Sequence, residues 1–248
     1  MKRLLIAITA ILTLGTLDVN ATNLVPSAPE EKSADKKGVE AYINLDKFHE
    51  IVVDFVGNIK FVQSSESRIE ASGPERIIRH TNADVSDGVL NIYFDEGAQI
   101  KMRKGEKLQL TIYSPTLTRI NLRGVSDLKA SGTVNTPAIE ILNDGVGNIS
   151  FADLQCKKLT VVSNGVGNIS LKGTTDSASY KSDGVGSINA YEMISKVTVV
   201  SLNGVGGVQC YASEQCDLVN NGIGNIHYKG TPAVERIQKN GIGSISRK

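Results

Sequence analysis

The sequence predicts an all-β solenoid, and three observations predict it. A glycine-paired unit recurs at Gly145-Val146-Gly147-Asn148-Ile149, Gly165-Val166-Gly167-Asn168-Ile169, Gly184-Val185-Gly186-Ser187-Ile188, Gly204-Val205-Gly206-Gly207-Val208, Gly222-Ile223-Gly224-Asn225-Ile226 and Gly241-Ile242-Gly243-Ser244-Ile245. Successive first glycines are 20, 19, 20, 18 and 19 residues apart, and a fixed period near 20 means coils that stack on one another. The residue before each first glycine is always Asx: Asp144, Asn164, Asp183, Asn203, Asn221 and Asn240. Asx side chains close local turns and tolerate left-handed backbone, so Asx-Gly-aliphatic-Gly reads as a sharp corner between strands. The first glycine is expected at positive φ, and the second is expected to answer crowding between coils. The flanks alternate. Four residues before the first glycine stand Ile141, Val161, Tyr180, Val200, Leu218 and Ile237. Four after it stand Ile149, Ile169, Ile188, Val208, Ile226 and Ile245, and six after it Phe151, Leu171, Ala190, Cys210, Tyr228 and Arg247. The +4 and +6 columns have the period of a strand with one face inward.

The elements follow in order. Residues 1–21 open with Met1-Lys2-Arg3, an apolar run from Leu4 to Leu17, and Val19-Asn20-Ala21. This is the pattern of a secretory signal cleaved after Ala21, and the run is too short for a membrane span. Residues 22–38 are polar, charged and proline-containing and read as a disordered spacer. Residues 39–123 are β-rich but less regular. Strand patterns flank Gly57, follow Gly88 and alternate over Leu108–Tyr113, whereas Ser65 to Arg79, with Gly73-Pro74-Glu75, reads as a loop. This part is expected to form irregular coils, or a small sheet module, sealing one end of the rod. Residues 124–248 carry the regular repeats, with a looser copy at Gly124-Val125-Ser126-Asp127-Leu128. No long helix is expected after the signal.

Removing residues 1–21 takes away Lys2, Arg3 and Asp18, turning 27 basic and 26 acidic residues into 25 of each. A neutral mature chain has nothing to draw it to nucleic acid or an anionic membrane. It has no second long apolar run, so no membrane span is expected after signal cleavage. His49, His80 and His227 lack metal-ligand spacing, and no cofactor or metal is expected. Cys156, Cys210 and Cys216 are an odd set for an exported chain. Cys210 falls in an inward column. Cys156 and Cys216 belong to coils roughly 14 Å apart, too far to bond. A Cys210–Cys216 pair across a turn stays open.

The N-terminal order completes the pattern. Phe48-His-Glu-Ile-Val-Val-Asp-Phe-Val-Gly-Asn-Ile-Lys-Phe-Val-Gln63 is followed by Asp87-Gly-Val-Leu-Asn-Ile92, then by Leu108 to Gly124, then by the glycine pairs. Over about residues 40–248 this resembles the putative auto-transporter adhesin, head GIN domain family, found largely in Bacteroidetes. The resemblance implies a right-handed parallel β-helix in an exported or surface-linked protein, a proposed role in adhesion, and no catalytic motif. This chain has Val or Ile between the glycines where relatives often have Ser or Ala, which leaves the turn undisturbed.

The functional expectation is a non-enzymatic adhesion or binding module of the periplasm, cell surface or exterior, with a glycan or protein as its surface ligand. The open C-terminal end is a candidate for weak contact between copies. A polysaccharide lyase or hydrolase on the same fold is the alternative, as is a purely structural envelope role. An enzyme of that kind needs clustered carboxylates with Arg or Lys on one outer face. Asp144 and Asp183 share a column, but Asn164 lies between them and turn chemistry accounts for both. The lack of Trp and the 5% aromatic content give a sugar-stacking platform little support.

Overall fold

The computed structural model describes residues 39–248. The expected signal at 1–21 and spacer at 22–38 lie outside the described residues.

The regular part is a stack of parallel coils with two strand rows. Row A holds β8 (Arg119–Leu122), β10 (Ala138–Asn143), β12 (Lys158–Ser163), the later halves of β13 (Ile169–Ser182) and β14 (Ile188–Leu202), β16 (Gln215–Asn220) and β18 (Val234–Lys239). Row B holds β9 (Val125–Asn135), β11 (Ile149–Gln155), the earlier halves of β13 and β14, β15 (Val208–Tyr211), β17 (Ile226–Lys229) and β19 (Ile245–Arg247). The glycine corner joins A to B within each coil.

Like residue sits on like residue, as the columns predict. Ile149 lies opposite Ile169, then Ile188, Val208, Ile226 and Ile245. On row A, Ile141 is followed by Val161, Tyr180, Val200, Leu218 and Ile237. These columns are buried until the final coil, where Ile237 is 48% exposed. The core is therefore built of stacked ladders from both rows, with a further one, Val134, Leu154 and Met193, beyond the register shift in row B, and apolar burial holds the coils together.

The first half departs from simple winding. β2 (Glu50–Asp54) and β3 (Val56–Gln63) make one coil, with Phe55 buried at its corner. β2 pairs with β8 on one side and β6 (Val89–Phe94) on the other. β3 likewise lies between β9 and β7 (Gln109–Ser114). The coil built first thus lies second in the stack, and the chain returns across it to begin β8. Antiparallel strands finish this end. β5 (Thr81–Ser86) pairs with β6, β4 (Arg68–Gly73) with β7, and β1 (Val39–Asn44) with β4. A single helical turn, α1 (Glu75–Ile78), places Ile77 and Ile78 in the core. A parallel stack ending in antiparallel strands has its end ladder covered.

One local expectation is corrected here. The stretch from Ser65 to Arg79 is not a loop, since it carries β4 and α1. Asp87 and Gly88 stand between two antiparallel strands. Both residues have positive φ, 52° and 77°, and they form the tight turn joining β5 to β6, as Asp-Gly in a two-residue hairpin does.

Tyr180 is the one bulky polar residue of the row A ladder, and its hydroxyl is buried with no hydrogen-bond partner among the described residues. Burial pushes that hydroxyl well above the usual tyrosine range. An unpartnered buried hydroxyl costs about 1–3 kcal/mol. Tyr180→Phe is expected to raise the urea midpoint without changing the slope of the transition. A lowered midpoint would show that the hydroxyl has a stabilising partner.

Candidate binding surface

The glycine corners build the most distinctive surface of the molecule. Each corner lies directly over the last, with one carbonyl of each glycine aimed along the axis. The Val166 amide donates to Gly145 O at 2.9 Å, and the Gly167 amide donates to Val185 O at 2.9 Å. A Cβ on Gly165 would land inside the van der Waals radius of Gly145 O, and one on Gly167 inside that of Gly147 O. Both glycines are therefore demanded by stacking. Positive φ belongs to the second glycine, 150° at Gly147 and 144° at Gly167, and not to the first. The expectation for Gly145, Gly165 and Gly222 is corrected accordingly. The physical reason is that the chain reverses after the aliphatic residue rather than before it.

The residue between the glycines has backbone packed above and below and nothing beside it, so it points outward. Val56, Val125, Val146, Val166, Val185, Val205, Ile223 and Ile242 form one unbroken column of backbone bridges. Each is 39–69% exposed. The result is a ridge of eight stacked aliphatic side chains running from the β2–β3 coil to the last coil. Large unbroken apolar surface mostly marks an interaction site on a soluble protein.

Two polar rows flank the ridge. On one side the Asx residues form amide-to-oxygen links along the axis. Asn164 Nδ2 donates to Asp144 Oδ1 at 2.7 Å, Asn203 Nδ2 to Asp183 Oδ1 at 2.6 Å, Asn221 Nδ2 to Asn203 Oδ1 at 2.9 Å and Asn240 Nδ2 to Asn221 Oδ1 at 2.7 Å. The Asn203 amide and the Lys181 ammonium hold the Asp183 carboxyl below its usual range. On the other side, side-chain oxygens accept backbone amides from the next coil. Asn148 N donates to Asp127 Oδ1, Asn168 N to Asn148 Oδ1, Ser187 N to Asn168 Oδ1 and Ser244 N to Asn225 Oδ1, at 2.7–3.0 Å. Gly207 interrupts that row, and its own amide reaches Ser187 Oγ at 3.2 Å. From inside, the buried Asn220 donates to Gly224 O at 2.8 Å. The corner amides thus satisfy backbone and one another, leaving shallow grooves on both sides of the ridge.

The remaining candidates stand apart. His80 Nδ1 lies 2.9 Å from Asp95 Oδ2, and His227 Nδ1 lies 2.9 Å from Ser246 Oγ. Among the described residues no three His, Cys, Asp or Glu side chains are placed to hold a metal ion. The three cysteines are free thiols, so Cys210 and Cys216 do not pair. Burial pushes them up to about 12 and about 11, respectively. Asp144 and Asp183 share the flanking row two coils apart and are bonded along it, not turned toward each other. No described helix is long and apolar enough to cross a membrane.

Sequence reasoning singled out the glycines and the Asx row and read the aliphatic residues between them only as harmless to the turn. Their recurrence was visible. Their outward direction was not, because a lone aliphatic residue between glycines has no alternating neighbour to mark its face.

The family model described as "Putative auto-transporter adhesin, head GIN domain" matches residues 47–232. Among solved structures, a putative adhesin from Bacteroides fragilis is 33% identical with a TM-score of 0.83, covering 86% of this chain and 98% of that one. A protein from Parabacteroides distasonis described as a putative lipid binding protein is 21% identical, with a TM-score of 0.67 over 86% of this chain and 97% of that one. A putative adhesin from Parabacteroides merdae is 22% identical, with a TM-score of 0.61 over 87% and 100%. The last two likenesses show the fold alone. No curated protein matches the chain.

Proposed function

The chain belongs to the putative auto-transporter adhesin, head GIN domain family, and from that premise we propose that it is a non-enzymatic adhesion module, exported to the cell envelope, whose contact surface is the corner ridge. The observation that carries the reading is the column of eight half-exposed aliphatic side chains between two amide rows. A folded chain gains nothing internal from leaving such a column in water, and each of its members could be polar without disturbing the turn. Its rigidity suits binding, because the rungs are fixed by backbone hydrogen bonds and little ordering entropy is lost on contact. The B. fragilis relative, named a putative adhesin, agrees with this reading. The lipid-binding name of the P. distasonis structure is compatible with an apolar contact surface on this chain too.

The test compares beads coated with wild type and with a Val166→Asp, Val185→Asp variant on parent cells, on a glycan array and on a layer of the protein itself. Wild-type beads are expected to adhere, and variant beads at least about tenfold less, because each buried unpaired charge costs more than a kcal/mol. Equal adhesion by a folded variant would remove the ridge as the contact surface. Wild-type beads that adhere to nothing, or that degrade a polysaccharide, would remove the adhesion reading.

A further inference from the structure

We propose that the ridge docks on the ridge of a second copy of this chain, the two rods lying side by side and antiparallel. The inference rests on the reading of the ridge as a contact surface and names its occupant.

The first argument is periodicity. Rungs repeat at one strand spacing, about 4.8 Å, so eight span roughly 34 Å. An extended peptide presents same-face side chains about every 6.8 Å and falls out of step within two or three rungs. Another copy has the same period along its whole length. With half a rung of slip, each aliphatic side chain sits between two of its partner's, a dry interdigitation of the kind stacked strands form. A two-fold axis across the ridge, between Val166 and Val185, makes the contact isologous and closed.

The second argument is charge. The acids of the flanking rows all lie in the first five rungs. They are Asp54, Asp144 and Asp183 in the Asx row, where Arg123 stands between the first two, and Asp127 in the other. The last three rungs carry only Asn203, Asn221 and Asn240 in the Asx row. The two-fold axis sets each row against the same row of the partner with its order reversed. To within half a rung, Asp54 meets the height of the partner's Asn240, Asp144 that of the partner's Asn203, Asp183 that of the partner's Asn164, and Asp127 that of the partner's Asn225. Each carboxylate then has a partner amide within half a rung of its height, and amides carry N–H donors. Asp144 accepts one bond within its own chain, and Asp127 and Asp183 two each, so lone pairs remain on all three.

The third argument is area. Eight half-exposed aliphatic side chains offer on the order of 500 Å² per copy, and the amide rows bring the contact near the roughly 800 Å² per partner of a standard interface.

Sedimentation equilibrium of the purified protein and disulfide trapping test the proposal together. Wild type is expected to dimerise. The Val166→Asp, Val185→Asp variant is expected to raise the dissociation constant by at least about 100-fold. If that variant fails to fold, Val166→Thr with Val185→Thr, which keeps the side-chain shape, is expected to raise it about tenfold with an unchanged melting temperature. Val125→Cys and Ile223→Cys proteins, mixed and oxidised, are expected to cross-link with each other and not with themselves. The proposal is overturned by a wild type that stays monomeric at its highest soluble concentration. Dimers indifferent to the ridge variants, which place contact at the rod end, also overturn it, as does self-linking of the Val125→Cys protein, which signals parallel rods. A monomer that floats with neutral phosphatidylcholine vesicles gives the ridge to lipid instead. In each of these cases beads that adhere through the ridge leave the adhesion reading standing, so the two failures are distinguishable.

Discussion

Gly167→Val is expected to destabilise the protein by about 4 kcal/mol or more. Two costs act together. The residue sits at φ 144°, which side chains with a Cβ rarely adopt, at about 1–3 kcal/mol. The new side chain must also displace the Gly147 carbonyl from the coil beneath, breaking the stack that carries the amide rows. Gly165→Val meets the second cost without the first and is expected to lose less. Two controls separate the causes. Gly105 has φ 87° with nothing within 4 Å of an added Cβ, so Gly105→Ala isolates backbone strain, at about 1 kcal/mol. Gly207 has no left-handed φ, and an added Cβ would lie 3.2 Å from Asn225 O, a contact that a shift of a few tenths of an ångström relieves, so Gly207→Ala should cost far less than Gly165→Val. Urea unfolding reads all four. A Gly167→Val protein as stable as wild type would mean that the coils do not stack through the corner carbonyls.

Phe151→Ala is expected to cost about 3–5 kcal/mol. Phe151 is buried in the row B ladder with Ala130 on one side and Leu171 on the other. Its ring fills the volume the small neighbour leaves, and coils held at one strand spacing cannot collapse into the hole. Phe151→Leu, closer in volume, is expected to cost less than about 1.5 kcal/mol. Calorimetry or urea titration measures the difference. A loss below 1 kcal/mol for the alanine variant would place the ring outside the core.

The ladders were legible in the sequence because their period is set by the coil itself. Ile149, Ile169 and Ile188 follow the same corner at the same distance, so aligning the glycines also aligns the core. The φ assignment was not legible. Asx before glycine favours a left-handed residue at that point, and only the stacked backbone shows that the reversal comes two residues later, at Gly147 and Gly167. The N-terminal stacking order was hidden for another reason. Whether β2 lies first or second depends on which arrangement covers the open end, and that is settled by burial of Ile77, Ile78 and the antiparallel strands rather than by anything local to Glu50–Asp54. Asp87-Gly88 did carry a hairpin signal. It was obscured because Gly88-Val89-Leu90 imitates the glycine-aliphatic start of a coil. The ridge was half visible, since its spacing could be read and its exposure could not.

The account turns on the ridge being the surface that meets a partner. Photo-cross-linking in the parent cell tests this most directly, with a photoreactive amino acid at Val185 or Val205 and, as control, at Thr160 on the outer side of row A. The account predicts adducts from Val185 and Val205, led by a species of twice the chain's mass, and none from Thr160. Adducts from Thr160 alone, or equal yields from all three positions, would contradict it.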